Sequence, residues 1–315
     1  MAFLYLLNHS ITPLWMIYAS LTVLGVARSF MGPAVQSALP VLVPSTALPN
    51  AIALNSSSFH LGTITGPLLG GFLNGISPHL PYFISFFFFL IAFILVWMIE
   101  NLKPPLKHTN TQRPKLLAGI NYIVSQPIIF GALSLDLFAV LFAGCSALLP
   151  VFAKDILELG AWGLGFLRAS PGIGALIISL WLIHNPLRIY IGYKMFLSVF
   201  IYGLSIILFS LSTNIWLSSL LLILMGGADM VSVFIRQTLI QLKTPDDVRG
   251  RVSAVNMAFI GASNELGEFR AGTVASILGS ESAVMLGGVS ALGIAGLWMY
   301  LFPSLVKVHS LDKLD

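Results

Sequence analysis

Charge is what this sequence has least of. Only 9% of its 315 residues are Asp, Glu, Lys or Arg, where a water-soluble domain carries about 25%. Residues 1–99 hold one charge, Arg28. The chain is 57% hydrophobic with a mean hydropathy of +0.92. No soluble domain of this size hides that much apolar surface, so the composition indicates a polytopic membrane protein. One cysteine, Cys145, excludes an internal disulfide and any Cys-based metal cage. Nothing in the sequence asks for a cofactor or a metal. The net charge of +4 is scattered over short loops, which argues against a nucleic-acid partner. The first residues lack the basic region and cleavage site of a signal peptide.

Long apolar runs stand where the charges do not. A spanning helix needs about 20 apolar residues. The runs predict helices at roughly 12–40, 51–75, 81–100, 127–152, 160–183, 194–211, 215–242, 252–279 and 283–304, with residues 1–7 as the stub of another. Gly and Pro inside them argue little against helix, because membrane helices tolerate both. The one long polar connection is 101–126, with Lys103, Lys107, Arg113 and Lys115. It divides the chain into a first helical half at 1–100, a linker, a six-helix half at 127–306 and a tail at 307–315. The linker, the Arg188/Lys194 loop, the Lys243/Arg249/Arg251 loop and the Lys307/Lys313 tail fall on one side. The positive-inside rule makes that side cytoplasmic.

A shift of 201 residues aligns the halves. It matches Trp15 with Trp216, Gly25 with Gly226, Gln36 with Gln237, Pro44 with Pro245, Asn55 with Asn256, Gly66 with Gly267, Gly71 with Gly272 and Trp97 with Trp298. Two parallel repeats joined by a basic linker describe a large class of secondary transporter. Under the same shift, the counterpart of residue 127 falls before Met1. The second half reads as six helices and the first as three and a stub. The expectation is an N-terminally truncated chain: a fragment, a late start site or a decayed gene.

Three stretches carry candidate chemistry. GTITGPLLGG, residues 62–71, lines Gly62, Gly66 and Gly70 along one face, with Pro67 and Gly71 in register. Such a stripe lets another helix approach closely, and Pro67 frees the carbonyl of Thr63 and bends the helix. GVARSFMG, residues 25–32, places Arg28 inside a helix, where an arginine either serves function or pairs with backbone carbonyls. TPDDVRGR, residues 244–251, places Asp246, Asp247, Arg249 and Arg251 at the cytoplasmic ends of two helices. These form a latch that differs between transporter states, or they only set orientation.

GASNELGEFRAG, residues 261–272, is the densest intramembrane charge. Glu265 lies fourteen residues past Arg251, about 21 Å along a helix and near the midplane. Gly261, Asn264, Glu265, Glu268 and Gly272 share a face, and Arg270 points nearly opposite, placed to snorkel to the outer surface. The carboxylates either face a cavity and carry a proton or bind a cationic group, or they pair with Arg168 or Arg236. Asp136 and Asp229, far from helix ends, are further candidates for the pathway. His60 reads as a packed helix residue rather than a proton relay.

The stretches GVARSFMGP and LPNAIALNSSSFHLGTITGPLLGG resemble the fourth and fifth helices of the major facilitator superfamily. TPDDVRGRVSAVN and IGASNELGEF resemble its tenth-to-eleventh loop and eleventh helix, with Arg270 departing from the pattern. The resemblance is to the bacterial drug and siderophore efflux branch and runs from the end of the third helix onward. It implies an all-α fold of two pseudo-symmetric halves in the bacterial inner membrane, the first half incomplete. It associates the Gly-Pro motif with antiport and the Arg28 motif with proton coupling. The expected function is proton-driven export of a small amphipathic molecule by a monomer in lipid. A non-transporting remnant is the alternative. An intramembrane aspartyl protease built on Asp136 and Asp229 is a remote one, because that class wants GxGD and this chain has GGAD.

Overall fold

Proline, asparagine and glycine decide where these helices start and stop. The computed structural model describes residues 14–43, 48–99, 116–185, 187 and 189–309. The chain divides into two compact units, Met1–Thr111 and Gln112–Asp315.

The first unit contains α1 (Leu14–Leu42), α2 (Leu48–Ile76) and α3 (Leu80–Trp97). α2 runs through Pro67 without a break. α3 starts with a proline in its first turn, where a missing N–H costs nothing. It buries none of its residues, and Phe83 and Phe87 meet edge to face at 5.0 Å along its surface.

The second unit begins with α4 (Leu116–Ser125), which lies inside the stretch that composition marks as linker. α5 (Pro127–Ala143) opens on a proline and closes at Gly144. A short irregular run follows, 3-10 at Ser146–Leu148 and π at Phe152–Ile156. The span predicted at 127–152 is therefore a broken helix reaching Ile156. Then come α6 (Ala161–His184), α7 (Ile191–Ser210) and α8 (Ile215–Lys243). The Asn214 side chain accepts from the backbone N–H groups of Trp216 and Leu217 at 2.9 and 3.3 Å, capping α8. Pro245 follows the end of α8 and fixes the entry to α9 (Asp246–Leu278), which starts a turn and a half before the apolar run does. Gly279, at φ +85°, provides the turn into α10 (Ser280–Leu301), a backbone region that glycine enters at no steric cost. A one-turn α11 (Pro303–Val306) ends the described structure.

Six helical spans among the described residues are long and apolar enough to cross a membrane: Leu80–Trp97, Pro127–Ile156, Ala161–Leu182, Ile191–Ser210, Ile215–Ile240 and Ser280–Leu301. α9 is longer than any of them at 33 residues, but Glu265, Glu268 and Arg270 dilute its apolar character.

Glycines bring the helices of the second unit together. A Cβ added at Gly174 of α6 would collide with the backbone of Ile223 on α8, and one at Gly226 of α8 with the backbone of Pro171. One at Gly203 of α7 would stand 3.0 Å from the Gly288 carbonyl oxygen of α10. In a membrane, where lipid is as apolar as leucine, such close backbone approach is what holds helices to one another. Between these crossings lie buried clusters, one around Phe152, Phe209 and Leu222, another around Leu135, Met195 and Ile235. Phe152 and Phe209 stack at 4.7 Å.

Candidate functional site

Two groups of polar side chains interrupt the apolar second unit, one buried and one open. The buried group is centred on Asp136 of α5. Its carboxylate forms an ion pair with Arg236 of α8, and both residues are almost fully buried. Along α8, Asp229, Ser232 and Arg236 recur at i, i+3 and i+7, a spacing that places them on one face. Asp136, Asp229, Ser232, Ser198 and Tyr202 line a small cavity between α5, α7 and α8. Periodicity could have revealed the α8 row. No local signal ties it to Asp136 on another helix, or to Ser198 and Tyr202 on α7. Two residues before Asp136, the Ser134 hydroxyl accepts from the Trp298 indole N–H at 2.9 Å, which fixes α10 against the same stretch of α5.

The open group is on α9. Asn264, Glu265 and Glu268 are all exposed, as are Gly261 and Gly272 on the same face. The alternative in which the glutamates pair with Arg236 is set aside by geometry, since that guanidinium is committed to Asp136. Among the described residues neither glutamate forms an ion pair. Arg168 of α6 lies within electrostatic reach of Glu268 without a salt bridge.

Arg270 corrects a sequence expectation. It does not snorkel outward. Its Nε donates to the Leu141 carbonyl at 3.1 Å. Leu141 sits in the last turn of α5, where carbonyls have no partner further along the helix. The break after Ala143 creates these free carbonyls, and in a membrane each must be satisfied from within the protein. The guanidinium reaches them because Gly267, one turn earlier, lets α9 approach α5. A Cβ there would lie 2.9 Å from the Val140 carbonyl oxygen. Arg270 therefore caps a broken helix, a role that no reading of α9 alone could show.

Arg28 is exposed on α1. A Cβ at Gly62, Gly66 or Gly70 would meet nothing within 4 Å among the described residues. Pro67 is half-buried on the same helix, and Gly71 follows it. Of the proposed latch, Arg251 is half-buried, while the side chains of Asp246, Asp247 and Arg249 lie outside the described residues, as does that of His60. The Arg251 backbone meets α4, where a Cβ on Gly119 would stand 2.9 Å from the Arg251 carbonyl oxygen. The Tyr122 hydroxyl, also on α4, donates to the Lys243 carbonyl at 2.6 Å. Among the described residues no three His, Cys, Asp or Glu side chains are placed to hold a metal ion. Cys145 is buried and free.

The sequence matches the family described as Major Facilitator Superfamily over residues 1–268. It is 27% identical to the enterobactin exporter EntS of Escherichia coli O1:K1 / APEC, over 82% of this chain and 60% of that protein. It is 28% identical to the enterobactin exporters EntS of Shigella boydii serotype 18 and of Shigella dysenteriae serotype 1, with the same coverage. The chain thus spans 60% of the length of these curated relatives.

Proposed function

This chain belongs to the Major Facilitator Superfamily, and from that premise we propose that it works as a secondary transporter exporting small amphipathic molecules of drug or siderophore type. Membership places it with multi-pass membrane transporters rather than with enzymes, which removes the aspartyl protease alternative. Similarity to enterobactin exporters favours export over uptake and a siderophore-like cargo. In this reading the membrane is the bacterial inner membrane, the linker and C-terminus are cytoplasmic, and protons moving inward drive the cargo outward by alternating access. Arg28 serves the proton pathway, the Gly-Pro stripe serves helix packing as an antiporter motif, and the loop charges Asp246, Asp247, Arg249 and Arg251 form the cytoplasmic gate.

The observation that carries the proposal is the open face of α9. Asn264, Glu265 and Glu268 are exposed without ion partners on a helix whose other side is sealed to α5 by Gly267 and Arg270. Carboxylates in a membrane helix are retained where they meet water, protons or a polar substrate. One turn apart, they offer a proton site beside a site for a cationic or hydrogen-bonding group.

The test is transport into proton-loaded vesicles with a catecholate siderophore and a cationic dye as separate probes. Accumulation should stop when the pH gradient is collapsed. Glu265→Gln and Glu268→Gln, compared side by side, should differ, with the proton-carrying position losing its dependence on the gradient. Accumulation that survives collapse of the gradient would falsify proton antiport.

A further inference from the structure

The cavity between α5, α7 and α8 has a volume of about 10 Å³, at the lower limit of what one water molecule occupies. Five polar side chains reach it: Asp136 from α5, Ser198 and Tyr202 from α7, and Asp229 and Ser232 from α8. The Ser198 hydroxyl is already engaged, donating to the Met195 carbonyl at 2.7 Å. Ser232 is not. It is 3% exposed, its Oγ has no hydrogen-bond partner, and it lines this cavity. The Nε of Arg236, one turn further on, is buried and unpartnered as well. A buried hydroxyl without a partner is costly, and in a space this small the partner that fits is water.

Charge counting adds a second constraint. Among the described residues, the titratable groups that line the cavity with Asp229 are Asp136 on α5 and Tyr202 on α7; Arg236, on the same helix as Asp229, is paired with Asp136, and Tyr202 is also within electrostatic reach of Cys145. α6 and α10 contribute no lining residue. Asp136 and Arg236 cancel each other. That leaves one carboxyl group, one phenol and no second cation in an environment that punishes uncompensated charge. Asp229 is electrically balanced there when it carries a proton.

We infer that Asp229 is a buried proton-binding site, linked to Asp136 through water held by Ser232, and that the packing of α5 on α7 and α8 described here is its proton-loaded form. Loss of the proton leaves two carboxylates for one guanidinium. The closed packing then gives way until water or a cation enters between α5 and α8. Protonation of one residue thereby decides whether this helix crossing is shut. The site is distinct from the open glutamates of α9, and it rests on the transport reading for the use made of the proton.

Infrared difference spectroscopy of the full chain in lipid, recorded between mildly acidic and alkaline pH, tests the inference. The native protein should show the stretching band of a protonated carboxylic acid at neutral pH. Asp229→Asn should abolish it, and Asp229→Glu should shift it in frequency. A band removed by Glu265→Gln or Glu268→Gln instead of by Asp229→Asn belongs to the open face of α9 and overturns the site. The shift in Asp229→Glu keeps the test decisive if Asp229→Asn folds poorly. A native spectrum without the band, or a band unchanged in both Asp229 variants, overturns the site. A neutral-pH band that sodium in the buffer removes also overturns it, because the group's ligand would then be a metal cation. The transport reading fails separately: if vesicle accumulation ignores the pH gradient while the band behaves as expected, the proton site stands and antiport does not.

Discussion

Gly25 and Gly226 occupy equivalent places in the 201-residue repeat, and so do Gly66 and Gly267, yet their surroundings are opposite. A Cβ at Gly226 would strike the backbone of Pro171, and one at Gly267 would press on Val140. At Gly25 or Gly66 it would meet nothing within 4 Å. The same residue at the same repeat position makes a helix crossing within the second unit and, among the described residues, none within the first. A small-residue stripe is thus a permission, and contact needs a partner segment. In the second unit those partners are α5 and α6. Charge divides the same way. Arg28 is the repeat counterpart of Asp229, and it is exposed where Asp229 lines a cavity shared with Asp136.

The comparison breaks most sharply at the buried ion pair. Arg236→Ala leaves Asp136 without its cation in an apolar interior, a loss of about 3–5 kcal/mol. Its counterpart Val35 is exposed on α1, and Val35→Ala should change stability by less than about 0.5 kcal/mol. Thermal unfolding in detergent, followed by loss of helix, checks both. Equal shifts would mean that Arg236 is not the pivot of the second unit.

Arg270 comes next. Arg270→Met keeps most of the volume but removes the bond to Leu141, at a cost of about 1.5–3 kcal/mol for a hydrogen bond from a charged donor. The repeat places exposed Leu69 opposite it, and Leu69→Ala should be nearly silent. Hydrogen exchange sharpens the point. Amides around Gly144, where α5 breaks, should exchange faster in the Arg270 variant and not in the Leu69 variant.

The glycine pairs give a smaller effect of opposite sign in the two units. Gly267→Val forces backbone apart at the α5 crossing and should cost about 1–3 kcal/mol. Gly66→Ala has free space around it and replaces the most flexible residue in a helix, which stabilises by about 0.5–1 kcal/mol. Two losses of similar size would mean that the Gly66 face is covered after all.

Hydropathy and punctuation made most of this fold legible. Asn214, Pro245 and Gly279 stand at the helix ends. What stayed hidden depends on distant partners. Leu141 offers a free carbonyl only because α5 breaks after Ala143, and the apolar run gives no sign of that break. Arg270 therefore looked like a residue in search of a surface. Asp136 looked like a lone pathway carboxylate, because Arg236 is a hundred residues away in the chain. Glu265 and Glu268 were readable because their environment is set by α9 itself: helical spacing puts them on one face, and that face is open.

The mildest test concerns α4, which composition alone assigned to linker. Its Tyr122 hydroxyl donates to the carbonyl of Lys243, the last residue of α8, at 2.6 Å. Three residues earlier Gly119 rests on the Arg251 backbone of α9. α4 thus holds both sides of the α8–α9 turn at Thr244 and Pro245, which leads into Asp246 and Asp247. Tyr122→Phe removes one hydrogen bond to a carbonyl that already lacks a helical partner, so its cost should be about 0.5–1.5 kcal/mol. Gly119→Val strikes the second contact by overpacking, and the two together should loosen the turn more than either alone. Hydrogen exchange at residues 244–252 reads this directly. Faster exchange confined to the turn would show that the stretch after the linker anchors the loop. Unchanged exchange in the double variant would return α4 to the role of a tether.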